Sequence, residues 1–225
     1  MKKLFLNWKE NGNFNSLLSF KTKLKQNNSV VLFPPLPYLN FAHSHKLKIG
    51  SQNVSQFEKG AFTGEVSASM LKDCKVQYCL VGHSERRSIF KETEVELLLK
   101  IKLLQKYSIT PILCIGENLT ERNNKTFFEK IQKQMKIFQK NQNILIAYEP
   151  VWSIGTGITP SNQEIEEISN FIYKNYSIKT IYGGSVSSLN AKEILNLSYI
   201  SGLLIGGASL NVNEINQILD DNFGN

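Results

Sequence analysis

The sequence predicts a one-domain α/β fold in which strands alternate with helices, on three observations. Short apolar runs recur at 3–6, 30–33, 47–50, 78–81, 109–115, 144–148, 178–182 and 200–205. Amphipathic stretches separate them, as when each strand is followed by a covering helix. No linker, low-complexity tract or charge block divides the chain, and 225 residues suffice for a single core. Roughly eight such βα units close a barrel, and the same alternation also fits an open doubly wound sheet.

Taken in order, the first run follows Met1-Lys2-Lys3, but it lacks the long apolar region and small-residue cleavage site of a signal peptide. It reads as a first strand. Between 88 and 106, Ile89, Val95, Leu98, Leu99, Lys102 and Leu103 recur at helical spacing and are expected to share one face. The same holds at 127–138 for Phe127, Phe128, Ile131, Met135 and Phe138. Ser161 three residues before Glu164 has the spacing of a capping box, which starts a helix just after Pro160. The stretch from Ser51-Gln52-Asn53 to Thr63-Gly64-Glu65 is too long for a plain connector.

Composition narrows the function. Hydrophobic residues at 41% and charged residues at 20% are globular values, and no apolar run is long enough to span a bilayer. No membrane association is expected. Cys74, Cys79 and Cys114 are odd in number and lack metal-ligand spacing, so they read as buried thiols of a cytoplasmic protein with no metal and no organic cofactor. The net charge of +7 comes from Lys and Arg scattered among Asn on helical faces. Without a basic stripe it points to a solvated surface with a modest pull on anionic substrates, not to nucleic acid.

Chemistry concentrates at strand ends. The run from Ile144 ends in Tyr148-Glu149-Pro150, followed by Val151-Trp152-Ser153-Ile154-Gly155-Thr156-Gly157. A run of this kind reads as a strand buried on both faces, which puts Glu149 at its carboxyl end, where α/β sheets keep their reactive groups. Pro150 stiffens the start of the loop, and Gly155 and Gly157 can absorb dihedral change at its far end, which is the composition of a lid. An ordinary loop with a solvated Glu fits this segment equally well. His83 follows the run ending at Val81-Gly82; a helix starting there would present its positive end to the ring and disfavour the imidazolium. Tyr182-Gly183-Gly184-Ser185 and Gly206-Gly207 each follow a strand-like run and suit phosphate binding through backbone N–H groups. His43 and His45 read as surface residues.

The Ala147–Gly157 segment resembles the catalytic loop of the triosephosphate isomerase family. Asn7-Trp8-Lys9, Val81-Gly82-His83-Ser84-Glu85-Arg86-Arg87, and the two glycine turns also resemble that family, in family order and over nearly the whole chain. The resemblance implies the (β/α)8 TIM barrel, shortened here from the usual length of about 250 residues, with trimming expected in segments such as 34–47 and 161–178. It implies interconversion of dihydroxyacetone phosphate and D-glyceraldehyde 3-phosphate through an enediolate. Glu149 would be the base, and His83 a neutral electrophile, a pairing carried over from the family. Lys9, fixed by Asn7 and paired with Glu85, would bind the anionic substrate and stabilise developing charge. Gly155, Ser185, Gly206 and Gly207 would hold the phosphate, and Tyr182 and Ser185 the closed lid. Ile154 and Leu204 are expected to flank Glu149 on closure, with Ser84 supporting the site. Thr63 is the expected contact in a homodimer. Two rivals share parts of this pattern: another phosphate-binding barrel lyase, which would need a Schiff-base lysine or a different acid–base pair, and a non-catalytic phosphate-binding paralogue.

Overall fold

The structure, a computed structural model, describes residues 2–138, 143–156 and 158–223. Its strands are β1 (Lys3–Asn7), β2 (Val30–Phe33), β3 (Gly50–Ser51), β4 (Tyr78–Val81), β5 (Thr110–Ile115), β6 (Leu145–Tyr148), β7 (Thr180–Tyr182) and β8 (Ile200–Ile205). All paired neighbours run parallel, in the order β2-β1-β8-β7-β6-β5-β4-β3. A single parallel bridge between Leu32 and Ile49 brings the two edges together, and Leu32 N–H donates to the Lys48 carbonyl at 2.9 Å. The result is a (β/α)8 barrel, not an open sheet. The expected third strand is the one that shrinks, because Ile49 makes only that bridge and the regular ladder begins at Gly50.

The helices are α1 (Phe14–Lys23), α2 (Leu39–Ser44), α3 (Ala68–Asp73), α4 (Ser84–Ser88), α5 (Glu94–Lys106), α6 (Leu119–Asn123), α7 (Phe127–Met135), α8 (Asn162–Tyr176), α9 (Ala191–Asn196) and α10 (Val212–Phe223). Period-two alternation divides the core into two compartments. Phe5, Val31, Leu80, Ile112, Ala147 and Leu204 point into the barrel. Leu4, Leu6, Val81, Leu113 and Ile146 point outward against Leu17, Ile101, Ile131, Ile168 and Ile218 of the helical ring. The inner set excludes water from the barrel axis, so polar groups beyond the strand ends sit on an apolar floor.

Several local expectations hold. Ser161 and Glu164 form a reciprocal capping box at the start of α8, and Phe127, Ile131 and Met135 bury one face of α7. Others need correction. The 88–106 stretch is not one helix: α4 ends at Ser88, Lys91 is left-handed at φ 57°, and Thr93 caps a fresh helix at Glu94. The buried face of α5 is Leu97, Lys100, Ile101 and Leu104, whereas Val95 is 70% and Ile89 68% exposed and Leu99 and Lys102 also face solvent. Apolar and charged residues interleave around Glu94–Lys106, so periodicity could not choose the face; Lys100 is drawn inward by Glu92 at 2.5 Å and Asn53 at 2.8 Å. Segment 161–178 holds α8, at 15 residues the longest described helix, and segment 34–47 holds one 3-10 turn and the six residues of α2. Cys79 and Cys114 are buried as expected, and burial pushes the Cys79 thiol up to about 12; Cys74 is only half-buried. His43 is exposed, but His45 is half-buried, its ring 4.2 Å from that of Phe41.

Candidate active site

The carboxyl ends of β1, β4, β6, β7 and β8 converge on a cavity of about 370 Å³ lined by Asn7, Lys9, His83, Glu149, Gly206 and Gly207. Ile154, Gly155, Gly183, Gly184, Ser185 and Leu204 complete the wall nearest the lid. All the expected catalytic and substrate-binding residues therefore meet in one place. Gly157 lies outside the described residues, so its part in the hinge is untested.

Glu149 continues β6 by donating its N–H to the Ile115 carbonyl at 2.7 Å, and it is 1% exposed. One carboxylate oxygen, Oε2, accepts the backbone N–H of Ser84 at 3.0 Å. The other, Oε1, lies 3.5 Å from His83 Nε2 and has no hydrogen-bond partner among the described residues. Ser84 thus holds the Glu149 carboxylate through its backbone N–H.

His83 is the N-cap of α4, and its Nδ1 accepts the Glu85 N–H at 3.3 Å. That bond requires a lone pair on Nδ1, which puts the proton of a neutral ring on Nε2, the nitrogen facing Glu149. The turn into His83 depends on Gly82, at φ 69°, where a Cβ would also fall 2.7 Å from Leu97 Cδ1. Arg87 braces the same turn by donating Nε–H to the Gly82 carbonyl at 2.7 Å and Nη2–H to the Cys114 carbonyl at 3.2 Å.

Lys9 follows β1 in the left-handed region, φ 53°. Its N–H donates to Asn7 Oδ1 at 3.1 Å, and its ammonium pairs with Glu85 at 2.5 Å. Both partners are the expected ones.

The two glycine turns differ. Gly207 opens a 3-10 helix directly after β8, whereas the turn after β7 runs on to Asn190 before α9 begins, so no helix starts at Gly183 as expected. Gly183 spends its N–H on the Tyr148 carbonyl at 2.8 Å. Gly184 is required sterically, because a Cβ there would overlap the Tyr182 hydroxyl and come 2.5 Å from Ser153 Oγ. Ser185 Oγ–H donates to the Ser153 carbonyl at 2.6 Å, and so reaches the lid as expected.

One residue at this end of the barrel was missed. Glu117, fully buried two residues beyond β5, accepts the Tyr148 hydroxyl at 3.0 Å and the Trp152 Nε1–H at 3.1 Å through Oε1. It also accepts, through its backbone carbonyl, the Val151 N–H at 2.9 Å. It therefore anchors the start of the loop after β6. Burial holds its carboxyl above the usual carboxylate range, against the opposing pull of these donors and of Arg122. A carboxylate directly after an apolar run and a glycine, as in Ile115-Gly116-Glu117, is the same kind of signal that singled out Glu149.

Thr63 is exposed near the tip of the 52–67 loop, away from this chain's cavity lining. Among the described residues no helix is long and apolar enough to cross a membrane.

Known proteins sharing this pattern are close in sequence. A family model described as Triosephosphate isomerase matches residues 2–222. The triosephosphate isomerase of Mesomycoplasma hyorhinis is 39% identical over 231 residues, covering 95% of this chain and 95% of that protein. That of Francisella tularensis subsp. holarctica is 37% identical over 245 residues, covering 98% and 97% respectively, and that of Francisella philomiragia is 36% identical over a similar span. A barrel whose strand ends gather Glu149, His83 and Lys9, matched by these relatives over nearly its full length, belongs to the triosephosphate isomerase family.

Proposed function

We propose that the chain interconverts dihydroxyacetone phosphate and D-glyceraldehyde 3-phosphate, with Glu149 as the base. Glu149 removes a proton from the carbon beside the carbonyl, while His83 donates Nε2–H to the carbonyl oxygen, leaving an enediol. Glu149 then delivers its proton to the neighbouring carbon, while His83 takes a proton back from the hydroxyl of the other carbon, whose oxygen becomes the new carbonyl, so both groups end as they began. Lys9 stabilises the charge that develops between these steps, and Gly155, Ser185, Gly206 and Gly207 hold the phosphate. Ile154 and Leu204 keep water from the base once the lid is shut, protecting the intermediate.

The observation that carries this reading is the approach of Glu149 Oε1 to His83 Nε2, 3.5 Å, on the wall of a cavity also lined by Lys9 and both glycine turns. A base and a proton donor so close can serve adjacent atoms of one small substrate. The reading calls on no metal or organic cofactor. A coupled assay of the purified protein with either triose phosphate tests it. Turnover in both directions is expected; binding without turnover would instead favour the non-catalytic paralogue.

The same reading includes a cytoplasmic homodimer in which Thr63 contacts the partner. It is supported by the 52–67 loop, whose Phe57 and Phe62 rings stack at 3.7 Å while remaining 39% exposed each. Exposed aromatic residues on a projecting loop favour burial against another surface.

A further inference from the structure

Lys9 stands in a backbone conformation that a side chain other than glycine rarely adopts, φ 53°, and something must hold it there. Asn7 engages its N–H and Glu85 its ammonium, but neither touches its carbonyl. The carbonyl is engaged from a different part of the chain. Gln52 Nε2 donates to the Lys9 carbonyl at 2.8 Å and to the Phe33 carbonyl at 2.9 Å. Both partners are acceptors only, so the amide must face them with its nitrogen, one N–H to each. Phe33 in turn accepts the Trp8 N–H at 3.1 Å. The ends of β1 and β2 and the loop after β3 are thereby joined at one side chain.

We infer that Gln52 is a positioning residue for this reaction: it fixes the left-handed backbone of Lys9, and through it the placement of the ammonium over the cavity. This rests on the reading of Lys9 as the group that stabilises substrate charge. The lysine stem lines the cavity beside the second glycine turn, where a Cβ on Gly206 would lie 3.6 Å from Lys9 Cε. A relaxed Lys9 backbone would redirect that stem and withdraw the ammonium from both Glu85 and the substrate. Gln52→Met keeps the length and loses both donors. Gln52→Asn keeps the amide but is too short by one methylene to span both carbonyls.

The test is a double-mutant cycle with Lys9→Met, together with a crystal structure of the Gln52 variants. Gln52→Met and Gln52→Asn are each expected to raise KM and lower kcat, reducing kcat/KM on the order of 10²-fold, the effect of displacing a reacting group by about an ångström. In the Lys9→Met background the same substitutions are expected to change kcat/KM by less than about twofold, because a group acting through Lys9 has nothing left to position. Equal losses in both backgrounds, or no loss in either, would overturn the proposal. The crystal structure reads positioning without catalysis. Lys9 should leave the left-handed region and part from Glu85 in Gln52→Met; retention of both features overturns the proposal whatever the rates. Full activity in Lys9→Met alone would refute the role given to Lys9, while the structure of Gln52→Met still decides what Gln52 holds in place.

Discussion

Glu149 and Glu117 are both carboxylates at barrel strand ends, yet their surroundings set them to different tasks. Glu149 is held by one backbone N–H, and among the described residues its Oε1 has no hydrogen-bond partner, which suits the role of base proposed for it. Shortening it to Asp withdraws the carboxylate by about 1 Å and is expected to lower kcat on the order of 10²-fold with a smaller change in KM. Steady-state kinetics check this, and an undiminished kcat would remove Glu149 from the role of base. Glu117 is instead a structural acceptor whose burial favours the neutral form. Because its folded-state value lies above the unfolded one, its contribution is fully present below the unfolded value and is lost as pH rises through the folded value. Glu117→Gln keeps an oxygen for Tyr148 and Trp152 but cannot ionise. Its stability relative to wild type should therefore rise as pH climbs through that window and then level off. Urea denaturation midpoints at a series of pH values would show this, and a difference constant with pH would contradict it.

Among the elements, α5 shows how tertiary packing chooses among apolar residues that local pattern cannot rank. Leu97, Leu98, Leu99, Ile101, Leu103 and Leu104 are interleaved with Lys100 and Lys102 around this helix, so no single apolar face stands out. The buried side is selected by the barrel strands beneath it and by Lys100 reaching Glu92 and Asn53. Ile101→Ala should accordingly cost about 3 kcal/mol by creating a cavity, while Val95→Ser, at a position 70% exposed, should fall within about 0.5 kcal/mol of wild type. Thermal or urea unfolding distinguishes the two positions, and a large loss at Val95 would mean that this face is covered in solution. The start of α8 is a contrasting case. There the Ser161–Glu164 spacing names its own structure, because a capping box is satisfied within four residues and needs no distant partner.

For the molecule as a whole, closure of the barrel and association of subunits are the two steps that local segments leave undecided. Closure rests on the Leu32–Ile49 bridge between sheet edges, and with it the residues of five strand ends acquire a common centre. Association is expected through the 52–67 loop, so light scattering should return about twice the 25.6 kDa of one chain. Phe57→Asp should shift that mass toward the single-chain value and lower activity with it, since the loop begins at Gln52, beside Lys9. A fully active, monodisperse wild-type monomer at assay concentration would count against the homodimer.

By itself the sequence determined the alternation of strands and helices and the caps whose partners lie within a few residues. Apolar runs ending just before them marked Glu149, His83 and the glycine turns, while the roles of Glu149, His83 and Lys9 came from the resemblance of their motifs to the triosephosphate isomerase family. Only the tertiary structure decided which side of α5 is buried, that Glu117 anchors the loop after β6, and that Gln52 reaches the carbonyl of a residue 43 positions earlier. Periodicity and turn chemistry are local properties. A hydrogen bond between distant segments depends on the register and closure that the whole core imposes together.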